Sequence, residues 1–313
     1  MERRQANVDM LEKLREYDPK SGSTFYTRIW FVDFTKFDIN EETQYGPMRF
    51  TDSLIGEGHK LKESLNILCL KIMSSDVGFP INVYGSVIIR DALDFKCNYI
   101  FRRDRDKCQL VETQGDSLLL TGPSRGVLFL GVVFFEIDLK IREEGEEKDD
   151  RKFSKTFVDM NEEKIKNLVE RKTVVSWHSE MELVFAHVKK ALEGTIEMKI
   201  LSGPESFIGK ITAYTTDLPS DDEMLLYEYD NGSVAGAVTV GAGTGSVIQL
   251  FRRVVAVSAD QMLVFRIWDG SACISPHTYS FTPLIKGADS DVVPCGLYKL
   301  GVKIVWSTLW YRG

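Results

Sequence analysis

Period two constrains this chain more than any other feature. In Phe134-Phe135-Glu136-Ile137-Asp138-Leu139-Lys140-Ile141, the side chains Phe135, Ile137, Leu139 and Ile141 fall on one side, and Glu136, Asp138 and Lys140 on the other. That alternation belongs to a strand with one face in a core and one in water. Leu65–Ile72 also has period two, with Leu65, Ile67, Cys69 and Lys71 on one face and Leu68, Leu70 and Ile72 on the other, Val83–Arg90 forms a strand around Gly85, Asn98–Phe101 begins another, and Ser117–Thr121 reads as a further one ended by Gly122-Pro123. Short strands at this spacing, punctuated by glycine and proline, predict an antiparallel sandwich or barrel.

The pattern occurs twice, shifted by roughly 125 residues. Tyr84-Gly85-Ser86-Val87-Ile88-Ile89 aligns with Ile208-Gly209-Lys210-Ile211-Thr212-Ala213, Ser117–Leu120 with Ser246–Gln249, and Phe134–Ile141 with Met262–Trp268. Gly85 and Gly209 then mark a bulge or a close backbone approach, where a side chain has no room. The expected fold class is mainly β: two tandem, internally duplicated antiparallel β-sandwich-like units with a short N-terminal helix. The domain reading places an N-terminal helix and extended aromatic segment at 1–44, a first β unit at 45–141, a charged linker or insertion at 142–180, and a second β unit at 181–313, the two units forming either two domains or one. Within these, residues 1–18 read as the amphipathic helix, stopped by Asp18-Pro19, and Asn161–Lys172 as a short helix. A further strand over Gly296–Trp306 either closes the second sheet or pairs back onto the first.

The net charge of −7 over 313 residues argues against sequence-independent nucleic-acid binding, which depends on neutralising phosphates with Lys and Arg. No apolar run has the 18 or so residues of a membrane span, and the charged start lacks the apolar stretch of a signal peptide. The 5 cysteines, Cys69, Cys97, Cys108, Cys273 and Cys295, include no C-x-x-C pair and read as reduced thiols. The expected location is therefore the cytoplasm, with the nucleus as the alternative.

Chemistry is hard to place. His59, His178, His187 and His277 have no ligand-spaced partners, so neither a metal nor another cofactor is expected. There is no G-x-S-x-G elbow, and no cysteine lies in a catalytic context. Gly241-Ala242-Gly243-Thr244-Gly245 lacks the lysine of a phosphate loop and precedes a strand, so it reads as a hairpin tip. No catalytic residue is assigned. The candidate binding surface is the alternating-charge hairpin Arg102, Arg103, Asp104, Arg105 and Asp106, joined by Arg125 from Thr121-Gly122-Pro123-Ser124-Arg125-Gly126. Such arginines suit an acidic protein partner.

The set Tyr84-Gly85, Arg90-Asp91, Asn98–Asp106, Leu120–Gly126 and Phe135–Lys140, with Pro47–Thr51, Gly209–Ala213 and Tyr298-Lys299, resembles the plant family catalogued as domain of unknown function 6598, expanded in grasses. The resemblance covers roughly residues 45–306. A similar module is attached to cereal jasmonate-induced ribosome-inactivating proteins, which implies a role in defence or stress. The N-glycosidase signature is not carried over: Glu163–Lys166 has lysine where that helix needs arginine. The leading functional expectation is a non-catalytic interaction or regulatory module of the plant cytosol with protein partners. The alternatives are an enzyme-associated domain linked to rRNA N-glycosidases, tested at Glu163, and a carbohydrate-binding sandwich. The carbohydrate reading needs exposed coplanar aromatics, with Trp30, Trp177, Trp268, Trp306 and Trp310 as candidates.

Overall fold

The alternating segments are strands in the computed structural model, which describes residues 2–52, 60–219, 222–229, 238–240, 245–270 and 275–309. Among the described residues the fold is mainly β, in open antiparallel sheets, with one short N-terminal helix and no barrel. Two compact units form. The first comprises Met1–Gln44, Cys69–Pro123 and Phe129–Phe185, and the second Tyr45–Leu68, Ser124–Leu128 and Ala186–Gly313.

The chain begins with α1 (Glu2–Leu14), β1 (Arg15–Asp18) and β2 (Ser23–Tyr26). It continues through β3 (Ser64–Ser75), β4 (Ile81–Arg90), β5 (Asn98–Arg103), β6 (Gln109–Val111), β7 (Val132–Ile141), β8 (Arg151–Asn161), β9 (Val169–Ser176) and β10 (Ser179–Val188). One sheet runs β3-β10-β9. The other runs β5-β4-β7-β8, with β6 also on β4. Phe135 of β7 and Phe185 of β10, 6.3 Å between ring centroids, join the two sheets in the core of the first unit.

The helix expected over residues 1–18 ends at Leu14. The last four residues of that span instead form β1, paired with β2 from Arg15↔Tyr26 to Asp18↔Ser23. Asp18-Pro19 therefore closes a hairpin: Asp18 Oδ1 accepts the Lys20 amide, and Gly22 takes the left-handed φ of 68° that the turn requires. The helix expected over 161–172 is also corrected. A single 3₁₀ turn, Glu162–Lys164, is capped by the Asn161 side chain, and β9 begins at Val169. Ser117–Thr121 supplies one bridge, Lys71↔Ser117, rather than a strand.

The second unit contains β11 (Ala191–Ser202), β12 (Gly209–Thr215), β13 (Met224–Tyr229), β14 (Val238–Val240), β15 (Ser246–Gln249), β16 (Val254–Ser258), β17 (Leu263–Trp268), β18 (His277–Phe281), β19 (Gly287–Cys295) and β20 (Tyr298–Thr308). Its sheets run β14-β15-β11-β20-β19, with β16 also on β11, and β13-β12-β17-β18. Phe207 packs 5.6 Å from Tyr227 of β13 and 5.0 Å from Tyr298 of β20, so it touches both sheets.

The duplication is visible in detail. Sheet order β5-β4-β7-β8 is repeated as β13-β12-β17-β18. A Cβ at Gly85 would lie 2.2 Å from the Asp138 carbonyl oxygen, and one at Gly209 would lie 1.9 Å from that of Trp268. Both glycines have positive φ, 118° and 150°. The register to the hairpin partner then slips between Val87 and Ile88, and at the equivalent place between Ile211 and Thr212.

Glu136 departs from the simple alternation. It lies on the outward face of β7, yet it is only 3% exposed, because residues 28–40 cover it. Its carboxylate accepts four bonds: Arg90 Nε at 2.7 Å and Nη2 at 2.9 Å, Arg28 Nε at 2.9 Å, and the Ile29 amide at 2.8 Å. Arg90, fully buried, also donates to the carbonyls of Phe95 and Ile39. Two buried charges are tolerated because nearly every donor and lone pair has a partner. The same cover buries Leu14, Ile29 and Ile39 against Phe34, Phe37, Phe95 and Phe157.

Candidate functional site

The segment of alternating charge ends the edge strand β5 and continues into the turn after it, so its side chains border the outer face of the sheet β5-β4-β7 beside the part that residues 28–40 cover. Register sets the rows. Tyr84 lies opposite Lys140, and Ser86 lies between Arg102 and Asp138. Residues 105–107 form a 3₁₀ turn that closes one end. The result is a groove of about 550 Å³, lined by Tyr84, Tyr99, Arg102–Asp106, Asp138, Lys140 and Glu147.

The arginines are not equivalent. Arg105 is held in place: Nε and Nη2 bind Asp150 at 2.6 and 3.0 Å, and Nη2 also donates to the carbonyls of Glu143 and Gly145. Asp150 further accepts the Tyr84 hydroxyl at 2.6 Å and the Glu143 amide at 2.8 Å. Its bond with Arg105 holds the Asp150 carboxyl far below the usual carboxylate range. Burial, with that same acceptor, pushes the Tyr84 hydroxyl well up. Arg105 therefore fixes the turn and offers little to a ligand. Arg103 is half-buried, and desolvation lowers its pKa; Nη1 donates to the Lys107 carbonyl, and Nε is covered without a hydrogen-bond partner. Arg102 is the more accessible cation. It is 55% exposed, bonded to Glu42 at 2.5 Å and placed 4.5 Å over the Tyr99 ring. Asp104 and Asp106 are exposed on the same turn.

Arg125 does not join this surface. It belongs to the second unit, is fully buried, and donates to the Gly126 carbonyl. Its neighbour Glu193, 2% exposed, accepts the amides of Gly126 at 2.6 Å and Met48 at 2.7 Å, and burial pushes its carboxyl up. Arg125 thus holds a buried loop, which its exposed-looking Gly-Pro-Ser-Arg-Gly context did not reveal.

The repeat shows what is particular to the first unit. Where β4 pairs Ser86 with Arg102, β12 pairs Lys210 with Glu228, and those two form an ion pair at 3.0 Å. The shared backbone therefore carries opposite charge at the equivalent rim position.

Elsewhere, His187 Nε2 lies 2.6 Å from Glu63 Oε2, and Glu163 is exposed on its 3₁₀ turn. Among the described residues, no group of three or more His, Cys, Asp or Glu is arranged to hold a metal ion. Gly241–Thr244, His59, Cys273 and Trp310 lie outside the described residues. Among the tryptophans, Trp306 is fully buried against Gly194, Lys152 sits 4.4 Å over Trp177, and Trp30 is 46% exposed. Reasoning from sequence missed Tyr84, Lys140, Asp150 and the Arg28–Arg90–Glu136 cluster. A charge inside an apolar strand, as in Val87-Ile88-Ile89-Arg90 and Phe134-Phe135-Glu136-Ile137, was the available signal.

Among the described residues, no helix is long and apolar enough to cross a membrane. No curated protein matches the sequence. Solved structures give remote similarities. Human GIVD cytosolic phospholipase A2 is 12% identical over 82% of this chain and 34% of that one, with a TM-score of 0.21, so the chain spans about a third of its length. The calcium-bound tandem C2 domains of Extended-Synaptotagmin 2 are 9% identical over 81% of this chain and 98% of that one, with a TM-score of 0.27. Scores this low carry no argument about fold or function. The family Domain of unknown function (DUF6598) matches residues 64–304, most of both duplicated units, and the chain belongs to that family.

Proposed function

We propose that this chain is a non-catalytic interaction module of the plant cytoplasm, acting in stress or defence, whose protein partner docks on the groove at Arg102, Arg103, Asp104 and Asp106. One observation carries the reading. Two copies of one scaffold differ in sign at the same rim position, Arg102 against Glu228, while Arg105 and Asp150 hold the first copy's turn in place. A rigid, charged edge on a shared backbone suits recognition, because loop chemistry varies while the core is kept. Three covered carboxylates are committed to the scaffold: Glu136 to two arginines and an amide, Glu193 to two amides, and Asp150 to Arg105 and Tyr84. That supports a binding role over acid–base chemistry.

The test compares the intact chain with a charge-reversed Arg102→Glu/Asp104→Lys variant as bait in extracts of stressed leaf, read by quantitative mass spectrometry. The expected result is a protein retained by the first and lost from the second, with equal thermal stability of both baits. Equal recovery from both, or none above background, would sink the proposal. Depurination of ribosomes by the purified chain, abolished in Glu163→Ala, would replace it with the N-glycosidase-associated reading.

A further inference from the structure

A second groove of the first unit is chemically unlike the charged one. It has a volume of about 860 Å³ and is lined by Phe25, Tyr26, Trp30, Phe31, Phe134 and Phe157, with Arg15, Thr24, Thr156 and Asp159 among the remaining residues. The rings form a connected series. Tyr26 stacks on Trp30 at 5.3 Å and 18°, Trp30 meets Phe31 edge-on at 5.9 Å, Phe31 lies 5.0 Å from Phe134, and Phe134 stacks on Phe157 at 5.3 Å and 20°. Trp30 and Phe31 are each 46% exposed and Val175 45%, so an apolar floor faces water within a polar rim.

The rim selects the occupant. Asp159 offers carboxylate oxygens and Arg15 guanidinium donors, so a ligand must both donate and accept hydrogen bonds beside an apolar face. A proline-rich peptide suits aromatic grooves but has few donors for Asp159. A pyranose has C–H faces for the rings and hydroxyls that both donate and accept. The charges are also balanced within the protein: Asp159 is paired with Lys164 at 2.5 Å, and Arg15 with Glu12 at 3.6 Å. A balanced rim favours a neutral ligand over an anionic one. We infer that this groove is a binding site for a neutral oligosaccharide, stacked on Trp30 and hydrogen-bonded by Asp159 and Arg15.

This inference is independent of the charged groove and of the partner proposed for it. The test is calorimetric titration of the full chain with cellohexaose, xylohexaose and mannohexaose, and with a decaproline peptide. Binding of at least one sugar is expected, weakened about tenfold by Trp30→Ala, the loss of one stacked ring. Asp159→Asn keeps the ring series and should weaken the same sugar while leaving the thermal midpoint unchanged; it serves if Trp30→Ala does not fold. The inference fails if none of the three sugars binds, if both variants bind as the parent does, or if decaproline binds and the sugars do not.

Discussion

Neutralising Glu136 is the sharpest test of how the first unit is held together. The carboxylate accepts four hydrogen bonds from Arg90, Arg28 and the Ile29 amide, at 3% exposure. In Glu136→Gln the charge disappears, and the amide nitrogen faces donors that an oxygen had accepted. Arg90, at 0% exposure, keeps a buried charge without a counterion. Breaking a buried pair in this way costs about 3–5 kcal/mol, a large share of the ~5–15 kcal/mol that holds a typical domain folded. At about 2–4 °C per kcal/mol for a unit of this size, the thermal midpoint should fall by roughly 10 °C. Urea unfolding followed by circular dichroism gives the free energy, and hydrogen exchange at the Ile29 amide reports the local bond. Removing both charges in Arg90→Met/Glu136→Leu should recover much of the loss, since apolar replacement of a buried pair is often neutral, while Arg28, 22% exposed, can turn to water. A loss below about 1 kcal/mol in Glu136→Gln, or a double variant no better than the single one, would refute the reasoning.

The two glycines make a matched pair. Gly85→Ala and Gly209→Ala each push a methyl into a neighbouring carbonyl at positive φ, so each should cost about 3 kcal/mol or more in chemical denaturation. Arg102→Ala removes an exposed ion pair and should change stability by no more than about 0.5 kcal/mol. Arg105→Ala should free the 105–107 turn and speed its hydrogen exchange. For pH, Asp150 is held below its ordinary value. Its stabilisation is complete at neutral pH and is lost as pH falls below the normal carboxylate range through the depressed value. Relative to the intrinsic exchange rate at each pH, the protection of the amides in the 98–107 hairpin should therefore fall in acid, and in Asp150→Asn it should already be low at about pH 7.

The period-two segments, the doubling, and the glycines at Gly85 and Gly209 were legible because each is a local property of the chain. Alternation follows from the pleat, and a glycine requirement from the backbone's own sterics. The charged hairpin was legible as a cluster for the same reason. Its division of labour was not: whether an arginine is a lock, like Arg105, or a contact, like Arg102, depends on Asp150 lying 45 residues away in sequence. Arg125 reads as exposed from its turn-like neighbours, yet the second unit buries it. Strand β1 reads as helix because four residues carry too little pattern to override the preceding turns. Sequence alone determined which face each side chain takes along a strand. Tertiary structure decided which outward faces stay wet: Glu136 and Asp138 point the same way from β7, but residues 28–40 cover one and leave the other in the groove. Burial is set by what packs over a side chain, and the packing segment comes from a distant part of the chain.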